Sequence, residues 1–411
     1  MYAQFVLSLV AGVFVLSFAV VPVQSQRGGA SPALPDGVGK DLVQSTCSTC
    51  HGVNFIINAG GNSRAEWDAL IQSMVALTGG DRTTVLDYLA KTFPPTSRTP
   101  AVMVPGTAKV AIKEWIVPTL GSRPHDPLAT ADGNLWWTGQ YASRLGRLDL
   151  KTGDLKEFPL KTADSGPHGL VEDASGTIWF TAITKNYIGR LNPKTGEITE
   201  YPLTQPGARG PHTPIFDQKG TLFFTLQSGH VGRLVPSTGA MTIVKTPSDN
   251  TYPYGIQVNS KGELWYVDFR GNRIASVDPS TMAIKEYTLP DPAARPRRLA
   301  LTSDDVVWYT DFARGYLGRF DPRTGAVKEW ASPSGPKSEP YGIATEKDII
   351  WYSESAVTPN TLVRFDPTSD RFQTWAIPSG GGVVRNMMRT KDGNLVLACS
   401  GVNRVALVEL K

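Results

Sequence analysis

The residues best suited to chemistry lie near the N-terminus, where Cys47-x-x-Cys50-His51 occurs. Two thiols at this spacing add to the two vinyl groups of one haem, and the histidine that follows places an imidazole on the iron. A redox dithiol or half of a zinc site uses the same cysteine pair. Zinc needs further ligands of this kind, and the only other cysteine is Cys399. The motif therefore predicts one covalently bound c-type haem, with His51 as an axial ligand.

The residues around this motif predict a small helical domain over 40–93. A Ser63-x-x-Glu66 capping box starts one helix, which continues with apolar residues at helical spacing. A closing helix is predicted over 81–93. Because the haem supplies the core that so short a segment lacks, this region resembles a short bacterial cytochrome c.

The second axial ligand of the iron is expected to be a methionine. Met74 lies between the haem motif and the closing helix, where the resemblance to short cytochromes c places this ligand. Met103 lies beyond the helix in a Pro-rich stretch, and an open or exchangeable position is the remaining alternative. A histidine–methionine pair raises the reduction potential and favours electron transfer, so we expect Met74.

A second group of candidate residues belongs to a repeat. An aromatic residue followed by strand-like sequence recurs every 42–45 residues, and seven copies predict the four-stranded blades of a seven-bladed β-propeller over 107–411. The last copy lacks its outer strand, whereas a matching strand at 110–118 precedes the first copy. We therefore predict that these two ends exchange strands to close the ring. The aromatic position of each copy is held by Trp136, Trp179, Phe223, Trp265, Trp308, Trp351 and, in a degenerate copy, Val396.

The first strand of each copy begins with a pair of residues whose second member is expected to face the central channel. Imidazoles bind transition metals and titrate near neutral pH, which makes the three histidines candidates for a catalytic or metal site. Arginines on the opposite arc would bind an anionic substrate. The alternative is that all these side chains only fill the loop-to-strand junctions. The pairs are Pro124-His125, Pro167-His168, Pro211-His212, Pro253-Tyr254, Pro296-Arg297, Pro340-Tyr341 and Val384-Arg385.

The composition of the chain indicates which partners it can have. The chain has 411 residues, 41 Lys and Arg against 37 Asp and Glu, and a net charge of +4. Because no basic run occurs, we expect no nucleic-acid partner.

Residues 5–23 are uncharged and apolar and precede small residues, which predicts a signal peptide over 1–25, with an uncleaved anchor as the alternative. We expect a flexible lead-in over 26–39, a Pro-rich linker over 94–106, a periplasmic location and no membrane attachment after cleavage.

The repeated segments Trp-Phe-Thr, Ile-Gly-Arg and Ile-x-Glu-Tyr-Pro-Leu resemble those of the virginiamycin B lyase (streptogramin lyase) family over 110–411. The resemblance implies a seven-bladed propeller that opens the lactone of streptogramin B antibiotics by elimination, with a histidine base and a magnesium ion held near glutamates. The two family histidines correspond here to Tyr341 and Arg385 or, with the match shifted by one blade, to Arg297 and Tyr341. The shifted match places the metal carboxylates at Glu339 and Glu354.

These observations together predict a multidomain periplasmic protein. Its haem transfers electrons to or from a redox partner protein, and its propeller binds a small-molecule substrate, a partner, or a metal such as magnesium or a transition metal. The catalytic candidates are His125, His168, His212, Arg297 and Tyr341. The alternatives are a C–O lyase with an accessory cytochrome and a non-catalytic propeller scaffold.

Overall fold

The computed structural model describes most of the chain after the predicted signal segment. Cys50, His51, Met74 and the predicted signal peptide lie outside the described residues. Among those that are described, no helix combines the length and apolar character needed to span a bilayer. The described ranges are 33–47, 53–58, 62–72, 75, 77–94 and 99–411.

The described residues of the N-terminal part contain four helices. The predicted capping box is confirmed: the Glu66 carboxylate accepts a hydrogen bond from the Ser63 backbone N–H at 2.7 Å, and the Ser63 hydroxyl accepts one from the Glu66 N–H at 3.2 Å. The last helix begins two residues before the predicted start. The helices are α1 (Lys40–Cys47), α2 (Val53–Asn58), α3 (Arg64–Gln72) and α4 (Gly79–Thr92).

These helices share an apolar core of their own. Val43 of α1, Trp67 of α3 and Val85 of α4 are buried in one cluster. Cys47, the last residue of α1, is half-buried and packs against that cluster. The first cysteine of the Cys-x-x-Cys-His motif therefore lies at a helix end beside the helical core.

Seven four-stranded antiparallel sheets follow, which confirms the predicted seven-bladed β-propeller. The segment before them contains β1 (Thr99–Pro100) and β2 (Val110–Ile116). From the channel outward, the first three blades contain β3 (Pro124–Ala129), β4 (Asn134–Gly139), β5 (Arg144–Asp149) and β6 (Leu155–Pro159); β7 (Pro167–Glu172), β8 (Ile178–Ala182), β9 (Tyr187–Leu191) and β10 (Ile198–Pro202); and β11 (Pro211–Phe216), β12 (Leu222–Leu226), β13 (His230–Val235) and β14 (Ala240–Lys245).

The next three blades repeat this order. They contain β15 (Pro253–Val258), β16 (Leu264–Asp268), β17 (Arg273–Val277) and β18 (Ile284–Thr288); β19 (Pro296–Leu301), β20 (Val307–Asp311), β21 (Tyr316–Phe320) and β22 (Val327–Ala331); and β23 (Pro340–Glu346), β24 (Ile349–Glu354), β26 (Thr361–Asp366) and β27 (Arg371–Ala376). A short strand between β24 and β26 of the sixth blade, β25 (Val357–Thr358), pairs in parallel with β1.

The seventh blade combines strands from both ends of the described propeller. Its inner strands are β28 (Val384–Arg389), β29 (Leu395–Cys399) and β30 (Arg404–Leu410), with a 3₁₀ turn at Ser400–Val402. Its outer strand is β2, which runs antiparallel to β30 from the pair Val110 and Leu410 to the pair Ile116 and Arg404. Each innermost strand packs against the next one round the ring, and β28 packs against β3.

The glycine of the repeated Ile-Gly-Arg segment lies beneath an aromatic ring of the neighbouring strand. A Cβ atom on Gly189 would stand 2.0 Å from Cζ of Phe180, and one on Gly146 would stand 2.0 Å from the ring of Trp137. The same close approach occurs at Gly232 and Gly318. The repeat therefore needs glycine here because the ring occupies the space of any side chain.

We predict that Gly189→Ala lowers the free energy of unfolding by about 1–3 kcal/mol, because overpacking forces the Phe180 ring or the backbone to move. Chemical denaturation of the propeller transition measures the change. Gly80→Ala in α4 is the control, since no atom of the described residues outside its own helix lies within 4 Å of the added Cβ. A Gly189→Ala propeller as stable as wild type would contradict this packing argument.

Candidate functional site

The three histidines predicted to share the channel do meet there. The ring centroids of His125 and His168 are 3.8 Å apart, as are those of His168 and His212. The series continues to Tyr254, whose ring centroid is 3.7 Å from that of His212. These four side chains are at most 4% exposed, so they form a continuous buried arc at the starts of β3, β7, β11 and β15.

The opposite arc holds tyrosine and arginine. The hydroxyl oxygens of Tyr254 and Tyr341 are 2.6 Å apart. The Arg297 guanidinium lies 3.6 Å from the ring centroid of Tyr341 and 4.1 Å from that of Phe312. Arg385 is close enough to Tyr341 to act on its ionisation. We call the following set the channel cluster: His125, His168, His212, Tyr254, Arg297, Tyr341 and Arg385.

Hydroxyl groups in the second strands of five blades link neighbouring blades and fix the channel cluster. The Thr138 hydroxyl accepts a hydrogen bond from the Asp126 backbone N–H at 3.0 Å and donates one to the His168 carbonyl oxygen in the next blade at 2.8 Å. The fourth and seventh blades have Val267 and Ala398 at this position. The sequence shows the repeated Trp-Phe-Thr, but not that its threonine links blades. The same bridge is made by Thr181, Thr225, Thr310 and Ser353.

An ion pair crosses the channel beside the histidines. Asp126 Oδ1 accepts a hydrogen bond from Arg298 Nη2 at 2.7 Å and lies 2.9 Å from His125 Nδ1. Asp126 and Arg298 are both almost fully buried. Sequence reasoning missed both residues, although each directly follows a predicted channel residue. The ion pair holds His125 in place and neutralises one arginine.

Potential metal ligands occur at two places in this region. In the described part of the chain, one group of three ligand side chains, His125, Asp126 and His168, has donor atoms within 4.8 Å of one another. Two imidazoles and a carboxylate form a ligand set used by several transition metals. The carboxylate, however, already pairs with Arg298.

The glutamates implied by the family resemblance lie on blade six. Glu354 ends β24 and is fully buried. Its carboxylate accepts hydrogen bonds of 2.6–2.8 Å from Ser332, Ser334 and Thr361. Glu339 precedes β23 and is half-buried. Glu354 thus anchors neighbouring loops, and a metal at these two residues stays a prediction.

Burial sets the charge of the histidines. It lowers the pKa of His125 well below the usual value, and Arg385 and Arg123 lower it further. Burial also lowers the pKa of His168 and of His212. The three imidazoles are therefore neutral at neutral pH, and each can donate one hydrogen bond and accept another.

The two tyrosines differ in how readily they ionise. Burial acts to raise the pKa of Tyr341, but Arg297, Arg385 and Arg298 outweigh it and lower that pKa to about 8. Burial and the neighbouring Tyr341 raise the pKa of Tyr254 above the usual value. Tyr341 therefore loses its proton first and is the stronger candidate for a proton acceptor.

Comparisons with known proteins match the propeller. A model of the virginiamycin B lyase family matches residues 103–358. A streptogramin B lyase structure is 27% identical with a TM-score of 0.67, covering 74% of this chain and 98% of that one. A virginiamycin B lyase from Staphylococcus aureus is 23% identical with a TM-score of 0.67, covering 74% and 100%.

A more distant structure shares the fold alone. The WD40 β-propeller domain of Doa1 is 13% identical with a TM-score of 0.58, covering 70% of this chain and 92% of that one. A search of curated proteins finds no match.

We predict that a pH titration of the phenolate absorbance shows one tyrosine ionising near pH 8, and that this step disappears in Tyr341→Phe. Arg297→Met should move the step to higher pH, because it removes the positive charge that lowers the pKa of Tyr341 most. Arg270→Met is the control, since Arg270 lies over Tyr252 outside the channel cluster and should leave the step unchanged. Retention of the pH 8 step in Tyr341→Phe would contradict the assignment.

Proposed function

This chain belongs to the virginiamycin B lyase family, and we propose that it joins such a propeller to a c-type cytochrome in an exported electron-transfer protein. The proposed signal peptide over 1–25 directs the chain to the periplasm. Residues 40–93 then carry the haem, 94–106 form the linker, and the propeller offers the channel cluster to a substrate. The Cys47-x-x-Cys50-His51 motif is the observation that carries this proposal.

The helical region is suited to a haem. Cys47 packs beside an apolar core, and the buried indole nitrogen of Trp67 has no hydrogen-bond partner among the described residues. A buried N–H donor without an acceptor fits a cofactor that brings carboxylates of its own. In this proposal Cys47 and Cys50 hold the haem and His51 is an axial ligand. When bound, the haem supplies one-electron redox chemistry.

Contacts of the linker support Met74 as the second axial ligand. Met103 is 48% exposed. Its neighbours are tied to blade six: the Val102 N–H donates to the Ser334 hydroxyl at 3.0 Å, and the Val104 N–H donates to the Thr374 hydroxyl at 2.7 Å. Because these bonds hold Met103 on the propeller, we assign the ligand to Met74.

A cytochrome and a propeller on one chain would bring the haem and a channel ligand together. A ligand held by the channel cluster and a haem on the same chain meet at a high effective concentration without any additional contact. The proposed protein would exchange electrons with a redox partner protein and act within an oxidoreductase system. We further propose that the pairing of β2 with β30 closes the ring by strand exchange, because β2 covers the edge of β30 and completes the fourth strand of that blade.

We predict that the full chain, produced with haem-attachment machinery, shows the reduced-minus-oxidised visible spectrum of a c-type haem. Replacing Cys47 and Cys50 together with serine should remove covalent haem, whereas Cys399→Ser, in the buried interior of blade seven, should keep it. Met74→Ala should lower the reduction potential because the methionine ligand raises it.

Met103→Ala is the matched control and should leave the potential unchanged. Wild-type protein without covalent haem would contradict the proposal. A potential that responds to Met103→Ala and not to Met74→Ala would contradict the ligand assignment.

A lyase is the second candidate, favoured by family membership and by the low pKa of Tyr341. In that case Tyr341 would be the base in place of the family histidine, and Glu339 and Glu354 would hold magnesium. We predict no opening of a streptogramin B lactone, because neither histidine of the family is matched. Magnesium-dependent, redox-independent opening that is lost in Tyr341→Phe would contradict this prediction and establish the lyase. A non-catalytic scaffold remains if neither haem nor turnover is found.

A further inference from the structure

Four arginines lie in or beside the channel cluster and have few acidic partners. Arg297 and Arg385 belong to the cluster, and Arg123 and Arg298 are adjacent to it. Arg123, Arg297 and Arg385 act on the ionisation of His125 together with Arg298. Among the described residues, the salt bridge of Arg298 with Asp126 is the only one that these four arginines form. Glu339 is close enough to Arg297 to act on its ionisation, so the channel end carries more arginines than nearby carboxylates.

Two properties of these arginine side chains follow from the shortage of acidic partners: a lowered pKa and buried donors without acceptors. Burial lowers the pKa of Arg123 to about 9, and the nearby Arg385 lowers it too. The Nε atoms of Arg297, Arg298 and Arg385 are buried and have no hydrogen-bond partner in the described part of the chain. Buried donors without acceptors are costly. An anion at this position would satisfy both the donors and the charge.

The surroundings of Arg297 favour an organic anion. The guanidinium lies among aromatic rings, 3.6 Å from the centroid of Tyr341, 4.1 Å from that of Phe312, 4.6 Å from that of Phe269 and 5.2 Å from that of Tyr254. Such apolar walls suit a hydrocarbon or aromatic group better than a fully hydrated inorganic ion. The planar guanidinium also matches a carboxylate in shape and pairs with it through two hydrogen bonds.

The same charges disfavour a cation at the neighbouring histidines. His125, Asp126 and His168 have the donor types for a metal. A divalent ion there would be repelled by the neighbouring arginines. It would also compete with Arg298 for the Asp126 carboxylate, because Arg298 already donates a hydrogen bond to Asp126 at 2.7 Å. The positive potential therefore opposes a metal and attracts an anion.

We propose that the channel cluster binds an organic carboxylate, whose oxygens are held by Arg297, Arg385 and Arg123 and whose apolar part lies against the neighbouring aromatic rings. This inference names the substrate class of the site described under the proposed function and rests on that use of the channel. It does not depend on the haem.

A second basic region provides the control. A groove of about 530 Å³ borders the channel through Tyr252 and is lined by Arg209, Lys245 and Arg270. These side chains are on the surface: Arg209 and Arg270 are exposed, and Lys245 pairs with Asp249 at 2.7 Å. An anion attracted only by surface charge would bind in this groove.

Isothermal titration of the full chain with benzoate, the neutral isostere benzamide and inorganic phosphate tests the proposal. Benzoate should bind at least about tenfold more tightly than either of the others. Arg385→Met should weaken benzoate at least about tenfold, because hydrogen bonds to charged groups are lost. Arg385→Lys should be intermediate because it keeps the charge without the paired donors. Arg209→Met should bind like wild type.

Several outcomes would overturn the proposal. No benzoate binding at millimolar concentrations, equal binding of benzamide, or phosphate binding as tight as benzoate would each do so. A loss confined to Arg209→Met would place the anion in the surface groove. Thermal unfolding checks that Arg385→Met is folded. We choose Arg385 because the Arg297 guanidinium stacks on several rings, so Arg297→Met would disturb more packing.

The haem content of the same samples, read from the visible spectrum, separates the two claims. The variant with Cys47 and Cys50 replaced by serine should still bind benzoate. Haem without benzoate binding would overturn this inference alone, and benzoate binding without haem in the wild type would overturn the proposed electron transfer alone.

Discussion

The hydroxyl group that bridges neighbouring blades is the interaction on which the channel depends. Each bridge satisfies an N–H of its own blade and a carbonyl of the next, and in four of the five bridges that carbonyl belongs to a channel residue such as His168 or Tyr341. Buried backbone groups cost about 1–3 kcal/mol each when left unpaired. The bridges therefore fix the blades and the channel side chains at the same time. At the fourth blade, Val267 replaces the hydroxyl, and the next channel residue is Arg297.

The channel divides into two arcs with different electrostatics. On one arc, stacked imidazoles are held neutral by burial. On the other, Arg297, Arg385 and Arg298 lower the pKa of Tyr341. Neutral rings beside guanidinium groups that outnumber the nearby carboxylates would favour a negative ligand over a cation, as the proposed carboxylate site requires.

Much of the fold could be predicted from sequence because its signals are local and repeated. The aromatic period gives seven blades, and the Ser63 and Glu66 pair gives a helix start. The Pro-His series also places three histidines together. The Asp126–Arg298 ion pair could not be predicted, because it joins residues 172 positions apart across the channel. Nor could the Tyr254–Tyr341 contact, since it depends on side-chain directions that only the closed ring defines.

The intact mass of the protein purified from a periplasmic extract tests the central claim most directly. An exported c-type cytochrome predicts a single polypeptide that begins after residue 25 and carries the mass of one haem. The haem should remain attached under denaturing conditions because thioether bonds to Cys47 and Cys50 are covalent. An unmodified chain, with or without its first 25 residues, would contradict the account of this protein as a haem-bearing member of its propeller family.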